Sequence, residues 1–200
     1  MRSELHPPHI YEANACYFLT ARTVRRRRLF GNDLRRALLQ ELVQACAEQY
    51  GIKLHAWVIL ANHYHLLLRV LESAALPGFV RTLHAKSALE LNKLDGVRGR
   101  KVWYQYWDRF ANSKQAFWSY FNYVHINPLK HGYVQLSSGA LRVEGGMVRI
   151  EAEHSFDVHE CLAGYPWSSY HYYLYEYGAE FLTDAWVRYP IPDYLAAIEA

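Results

Sequence analysis

His63 and His65 stand one residue apart in "ILANHYHLLLRV", residues 59–70, inside an apolar run. Side chains alternate faces along a strand, so the two imidazoles share a face and Tyr64 takes the other. The strand rise sets them roughly 6.5–7 Å apart, close enough to converge on one metal ion. Histidine is the commonest metal ligand, but it also serves in cores and on surfaces, and this chain has 11. The pair alone leaves both readings open. A second group lies in "YVHINPLKHG", residues 123–132. On a helix, Tyr123 and Asn127 are i and i+4 and share a face. The Asn127 carboxamide oxygen can ligate a hard cation, and a phenol beside a metal invites a nucleophilic role. Tyr123 is one of 17 tyrosines, with Tyr120 and Tyr133 as close competitors. The patterns HExxH, GxxxxGK[ST] and GxGxxG are absent.

These residues need elements to hold them. "ANACYFLTARTV" is β-rich and predicts a strand. A helix follows, capped by Asn32 or Asp33, with Leu34, Leu38, Leu39, Leu42, Val43 and Cys46 at helical spacing and Gly51 as its stop. "IKLHAWVIL" and "HYHLLLRV" read as a hairpin turned at Ala61-Asn62. A second helix starts near Pro77. "VRGRKVWYQYWDRF" is a basic loop entering a fourth strand, with Val102, Tyr104 and Tyr106 alternating against Trp103, Gln105 and Trp107. "SKQAFWSYFNYVHIN" is a third helix, ended by Pro128. The order β-α-β-β-α-β-α predicts an α+β, ferredoxin-like fold, an antiparallel sheet with helices on one face. Residues 1–134 form the body of this expectation. Residues 135–200 form a C-terminal extension packed on the same domain. It holds a hairpin turned at Gly145-Gly146, then "YPWSSYHYYLYEYG" and a Pro-punctuated tail.

Composition narrows the chemistry. Apolar residues make up 52% of the 200, enough for a real core. No apolar run has the length of a membrane span. The N-terminus lacks the apolar middle of a secretory signal. Cys16, Cys46 and Cys161 are isolated, which excludes a disulfide framework and fits a reducing cytoplasm. The net charge of +3 hides an asymmetry: residues 1–130 hold 19 basic and 9 acidic residues, residues 131–200 hold 3 and 10. A basic body rich in aromatics (16% of the chain) suits single-stranded nucleic acid, where rings stack on bases and cations meet phosphates.

Four stretches, in this order, carry a resemblance: "RTVRRRRLF", "LHAWVILANHYHLLL", "VHINPLKHGYV" directly after Tyr123, and "YPWSSYHYY". The chain resembles the REP-associated tyrosine transposases, bacterial relatives of one-tyrosine insertion-sequence transposases within the HUH single-strand endonucleases. The resemblance covers most of residues 11–173. It implies that His63 and His65 are the metal-holding pair, that Tyr123 is the nucleophile, and that Asn127 is the third polar ligand. It implies Mg²⁺ or Mn²⁺ as cofactor, single-stranded DNA with hairpins as partner, and cleavage through a 5′-phosphotyrosine. It leaves both monomer and homodimer open. Leu60-Ala61 departs from the Met-Pro often found in the family, and residues 135–165 are longer than its pattern.

Other residues are assigned by charge. The Arg25, Arg26, Arg27 and Arg28 run favours phosphate contacts over a solvated turn. Arg98, Arg100 and Lys101, with Lys130 and His131 just past the tyrosine helix, are expected to contact DNA. His125 falls off the Tyr123–Asn127 line and reads as a surface or DNA-contacting residue. Trp103 and Trp107 read as core or sheet residues, Trp167 as structural, and Ser168 and Ser169 as helix caps. The expected function is a metal-dependent single-strand DNA endonuclease and strand transferase. Two alternatives stand beside it: a hairpin-binding protein of the same fold that does not cleave, and a small zinc metallohydrolase using His63 and His65.

Overall fold

The computed structural model describes residues 11–136, 141–144, 147–150 and 155–192. The main sheet is built from β1 (Ala15–Thr23), β2 (Lys53–Ile59), β3 (His63–Val70) and β4 (Trp103–Phe110), in the order β2-β3-β1-β4, every pair antiparallel. Between them run α1 (Asp33–Gln49) and α2 (Ala75–Leu94), and α3 (Lys114–Lys130) follows β4. This is the expected α+β order of elements.

Local chemistry sets the helix ends. Asn32 caps α1 by accepting the Arg35 N–H at 3.0 Å, and Gly51 leaves the helix at φ +60, where a side chain would be strained. Leu39, Val43, Cys46 and Ala47 form the buried stripe of α1, while Leu34 in the first turn is exposed. Ser113 caps α3 by accepting the Ala116 N–H at 3.0 Å.

One expectation about layering is corrected: the helices cover both faces of the sheet. Tyr17, Leu19, Ala21, Tyr64, Leu66 and Leu68 pack with α1 and α2 in one core. Phe18, Ala56, Val58 and Leu67, on the opposite face, pack under α3 in a second core. The strand alternation that puts Tyr64 and His65 on different faces therefore puts them in different cores.

Pro128 does not end α3, which runs two residues further. The proline removes one N–H near the last turn, where few bonds remain to be lost. His131 N–H still reaches the Asn127 carbonyl at 3.0 Å. Ser119 to Pro128 are all buried, because α4 (Ser155–Ala163) and α5 (Tyr170–Arg188) lie over the far side of α3. The sequence pointed to a helix after Ser168 and Ser169, where α5 begins, but not to α4. Gly178, at φ +82, breaks α5 into two helical pieces. The expected hairpin exists as β5 (Leu141–Glu144) paired with β6 (Met147–Ile150), and β7 (Ile191–Pro192) adds to β6. Gly145 and Gly146 lie outside the described residues, as do residues 137–140 and 151–154.

The extension is tied to the sheet through hydrogen bonds. Ser169 Oγ accepts the Trp57 N–H of β2 at 3.0 Å, and the Tyr165 hydroxyl donates to the Ile59 carbonyl at 2.7 Å. The expectation of a Ser169 side-chain cap fails for this reason, since the hydroxyl is used across the interface instead. Ser168 Oγ accepts the Tyr170 N–H at 3.2 Å.

Candidate functional site

The site sits where the ends of β1, β3 and β4 pass beneath the C-terminal half of α3. His65 lies opposite Thr20, and His63 opposite Arg22, in the β1–β3 register. All four side chains share the α3 face. The His63 and His65 ring centroids are 5.1 Å apart. His65 is fully buried and His63 is 8% exposed. His65 Nδ1 and Thr20 Oγ1 are 2.7 Å apart, and His63 Nδ1 lies 2.7 Å from the Asn62 side-chain oxygen. The Asn62 oxygen can only accept, so His63 Nδ1 carries the proton and Nε2 holds the lone pair. Side-chain partners that hold one ring nitrogen fix imidazole orientation in the way metal-binding histidines are held.

The α3 helix brings Tyr123 to this pair. Its ring packs edge-on against His65 at 5.4 Å and against Phe18 at 5.7 Å. Lys130, two turns later, donates from Nζ to the Tyr123 hydroxyl at 3.0 Å. Lys130 was expected on the DNA backbone; here its ammonium rests on the phenol. His131 packs its ring on His63 at 4.8 Å. The end of α3 thus delivers one group to the phenol and its C-cap delivers one to His63.

Asn127 lies one turn past Tyr123, as the spacing requires. Its side-chain amide donates to the Tyr123 carbonyl at 2.7 Å, and it is fully buried. Its Oδ1 has no hydrogen-bond partner among the described residues. A buried acceptor without a partner is uncommon and costs stability, and Asn122 Oδ1 on the same helix is in the same position among the described residues. No three His, Cys, Asp or Glu side chains gather around a common point among the described residues.

A cleft of about 220 Å³ opens onto the pair, lined by Thr20, Arg22, Arg26, Asn62, His63, Trp107 and His131. Tyr123 is 1% exposed and does not line it. Around the mouth, Arg25, Arg26, Arg27 and Arg28 are exposed on the turn after β1. Arg28 lies over the Tyr133 ring at 5.7 Å. Arg98 and Lys101 are exposed. Arg100 instead pairs with Asp95 at 2.7 Å and bonds Asn92, fixing the loop between α2 and β4.

Two placements differ from expectation. His125 is not a surface residue: it is fully buried, with Nε2 2.8 Å from Ser169 Oγ, and burial pushes its pKa down to about 3. The packing of α5 over α3, through Tyr170 and Tyr173, is what encloses it. Trp103 is a core residue as expected, stacked on His84 at 4.6 Å, but Trp107 lines the cleft. The alternation across residues 102–107 is broken by a bulge, where Arg22 faces Gln105 but Thr23 faces Trp103. Sequence reasoning passed over Arg22, Thr20 and Asn62. Their signal was available only through the β1–β3 register, which a lone sequence does not state.

A sheet with two oriented histidines on one face, a tyrosine helix across it and an arginine-rich rim defines a class of DNA-handling protein. The family model described as "Transposase IS200 like" matches residues 12–125, and the chain belongs to that family of transposases. Among solved structures, it is similar to a REP-associated tyrosine transposase bound to a REP hairpin, with a TM-score of 0.61 at 17% identity over 86% of each chain. That likeness shows a shared fold. A transposase candidate from Deinococcus radiodurans R1 aligns at a TM-score of 0.43 and 20% identity, over 64% of this chain and 95% of its own. No curated protein matches the chain.

Proposed function

We propose that the protein is a metal-dependent endonuclease and strand transferase that cuts single-stranded DNA beside hairpins, with Tyr123 as the nucleophile. The observation that carries this is the convergence of Tyr123, His65 and His63 on one face, with Lys130 on the phenol oxygen. The structural neighbour bound to a REP hairpin supports hairpin DNA as the partner.

His63, His65 and the Asn127 amide oxygen would hold the ion. The donor set fits, because the imidazoles are oriented by Asn62 and Thr20 and the buried Asn127 Oδ1 has no other partner among the described residues. Mixed imidazole and amide ligation suits Mn²⁺ at least as well as Mg²⁺. A bound divalent ion would neutralise the phosphate oxygens that otherwise repel a nucleophile.

The protein's own groups do the rest. Tyr123 Oη attacks phosphorus, the P–O3′ bond breaks, and the DNA is left as a 5′-phosphotyrosine and a free 3′-hydroxyl. The Lys130 ammonium offsets negative charge on the phenol oxygen as its proton leaves. The ester so formed is similar in energy to the one broken, so attack by another 3′-hydroxyl completes strand transfer. Because Tyr123 is 1% exposed, the Lys130–His131 turn must shift to admit the phosphate. Arg25 to Arg28, Arg98, Lys101 and His131 meet the DNA backbone.

The burial of Tyr123 favours one second reading, a hairpin-binding protein that does not cleave. The two part in a single test. Wild type with labelled hairpin DNA and Mn²⁺ gives a covalent adduct on a denaturing gel, lost with EDTA, in His63→Ala and in Tyr123→Phe. Binding without any adduct supports the second reading.

A further inference from the structure

Beside the catalytic cleft lies a second one, of about 480 Å³, lined by Arg22, Thr23, Val24, Arg25, Arg26 and Tyr104. The two clefts share Arg22 and Arg26 as their common wall. We propose that this second cleft holds one unpaired nucleotide flanking the scissile phosphate, its base on the Arg22–Tyr104 surface and its phosphate on Arg25 and Arg26. The inference rests on the endonuclease reading and names where that substrate is gripped next to the cut.

The bulge in β4 makes the surface. Unbroken alternation would give Tyr104 and Tyr106 one face of the sheet. Arg22 pairs with Gln105 and Thr23 with Trp103, so Tyr104 is the extra residue. It leaves the ladder and is 48% exposed, on the edge strand of the sheet. Bulges re-aim side chains beside functional sites in this way. Tyr104 thereby comes under Arg22, whose guanidinium carbon lies 5.3 Å from its ring centroid and 4.6 Å from that of Trp107. The two ring centroids are 6.4 Å apart, so the guanidinium rests beside both rings rather than between them. A planar cation packed against an exposed tyrosine offers a stacking surface for a base.

The phosphate side is basic. Arg25 and Arg26 are both at positive φ, +54 and +52, a conformation that L side chains rarely adopt. Both residues are exposed and line the cleft. Lys101 adds a third cation, 6.0 Å from the Tyr104 ring centroid. A cleft of this size suits a single nucleotide rather than a duplex.

The test is a thermodynamic cycle on the full chain. The probe is a hairpin oligonucleotide with single-stranded flanks, carrying one abasic site moved position by position. Affinity is measured for wild type, Arg22→Lys and Tyr104→Ala. Arg22→Lys keeps the charge and removes the plane; Tyr104 is exposed enough for its loss to leave folding intact. At one flank position, the abasic site weakens wild-type binding roughly 10-fold, the scale of one stacked base. At that position the abasic site has no further effect in either variant, because the partner is already gone. Moving 2-aminopurine to the same position gives quenching in wild type that both variants relieve. Losses that add at every position, with no position-specific quenching, overturn the proposal. Adduct formation is scored separately on the same oligonucleotides. Coupling at one position without any adduct keeps the nucleotide site and sinks the endonuclease reading; an adduct without coupling does the reverse.

Discussion

At the scale of single residues, the pairing of Lys130 with Tyr123 makes the sharpest demand. An ammonium 3.0 Å from the phenol oxygen stabilises charge there, so Lys130→Met is expected to slow adduct formation by about 10²-fold. Lys130→Arg, which keeps the cation, should recover much of the rate; single-turnover gels measure both. Period-two and i,i+4 spacing made legible that His63 and His65 share a face and that Tyr123 and Asn127 share another; the choice of Tyr123 among 17 tyrosines rested on the family resemblance. Lys130 on the phenol and His131 on His63 were not legible, since the turn after Pro128 decides where they go. A half-buried histidine away from the site gives a pH prediction. His84 lies 2.9 Å from the Tyr64 hydroxyl and burial pushes its pKa down to about 3. The unfolded chain titrates that group near 6.5. Between those values the unfolded state binds the extra proton, so stability falls as pH drops from about 6.5 towards 3. The His84→Gln variant should show a shallower fall, read from urea midpoints across that window.

At the scale of elements, the strands and the first three helices follow from hydrophobic period and turn chemistry. Asn32, Gly51 and the Ala61-Asn62 turn mark their ends locally. The sequence did not state that α3 is covered on both sides. His125 read as a surface or DNA-contacting residue, yet Asn122, His125 and Ser119 are buried and bonded to α5, to the residue at its start and to the segment beyond it. Those partners lie some 45 to 70 residues away, beyond any local pattern. Ser169 is the hinge of this arrangement, joining the Trp57 N–H and His125 through one hydroxyl. Ser169→Ala leaves both without that partner and is expected to cost about 1–3 kcal/mol in urea unfolding. A loss within experimental error would mean that the extension does not support β2 through this bond.

At the scale of the whole molecule, charge and architecture agree. The basic body carries the histidine pair and the arginine rim, and the acidic residues concentrate beyond residue 130. Among the described residues, no helix is long and apolar enough to cross a membrane. DNA affinity should fall steeply with salt, and Arg26→Ala should lower the slope of log K against log salt by about 0.7, one phosphate contact on a single strand. The α+β order was readable from the sequence, whereas the placing of α3 opposite α1 and α2, and its cover by α4 and α5, rest on long-range contacts. The most direct measurement is the denaturing gel with hairpin-bearing single-stranded DNA, Mn²⁺ or EDTA, and wild type beside Tyr123→Phe. A covalent adduct in the wild-type Mn²⁺ lane alone is the expected result. An adduct that persists in Tyr123→Phe, or hairpin binding with no adduct in any lane, would contradict the assignment of Tyr123 as the nucleophile.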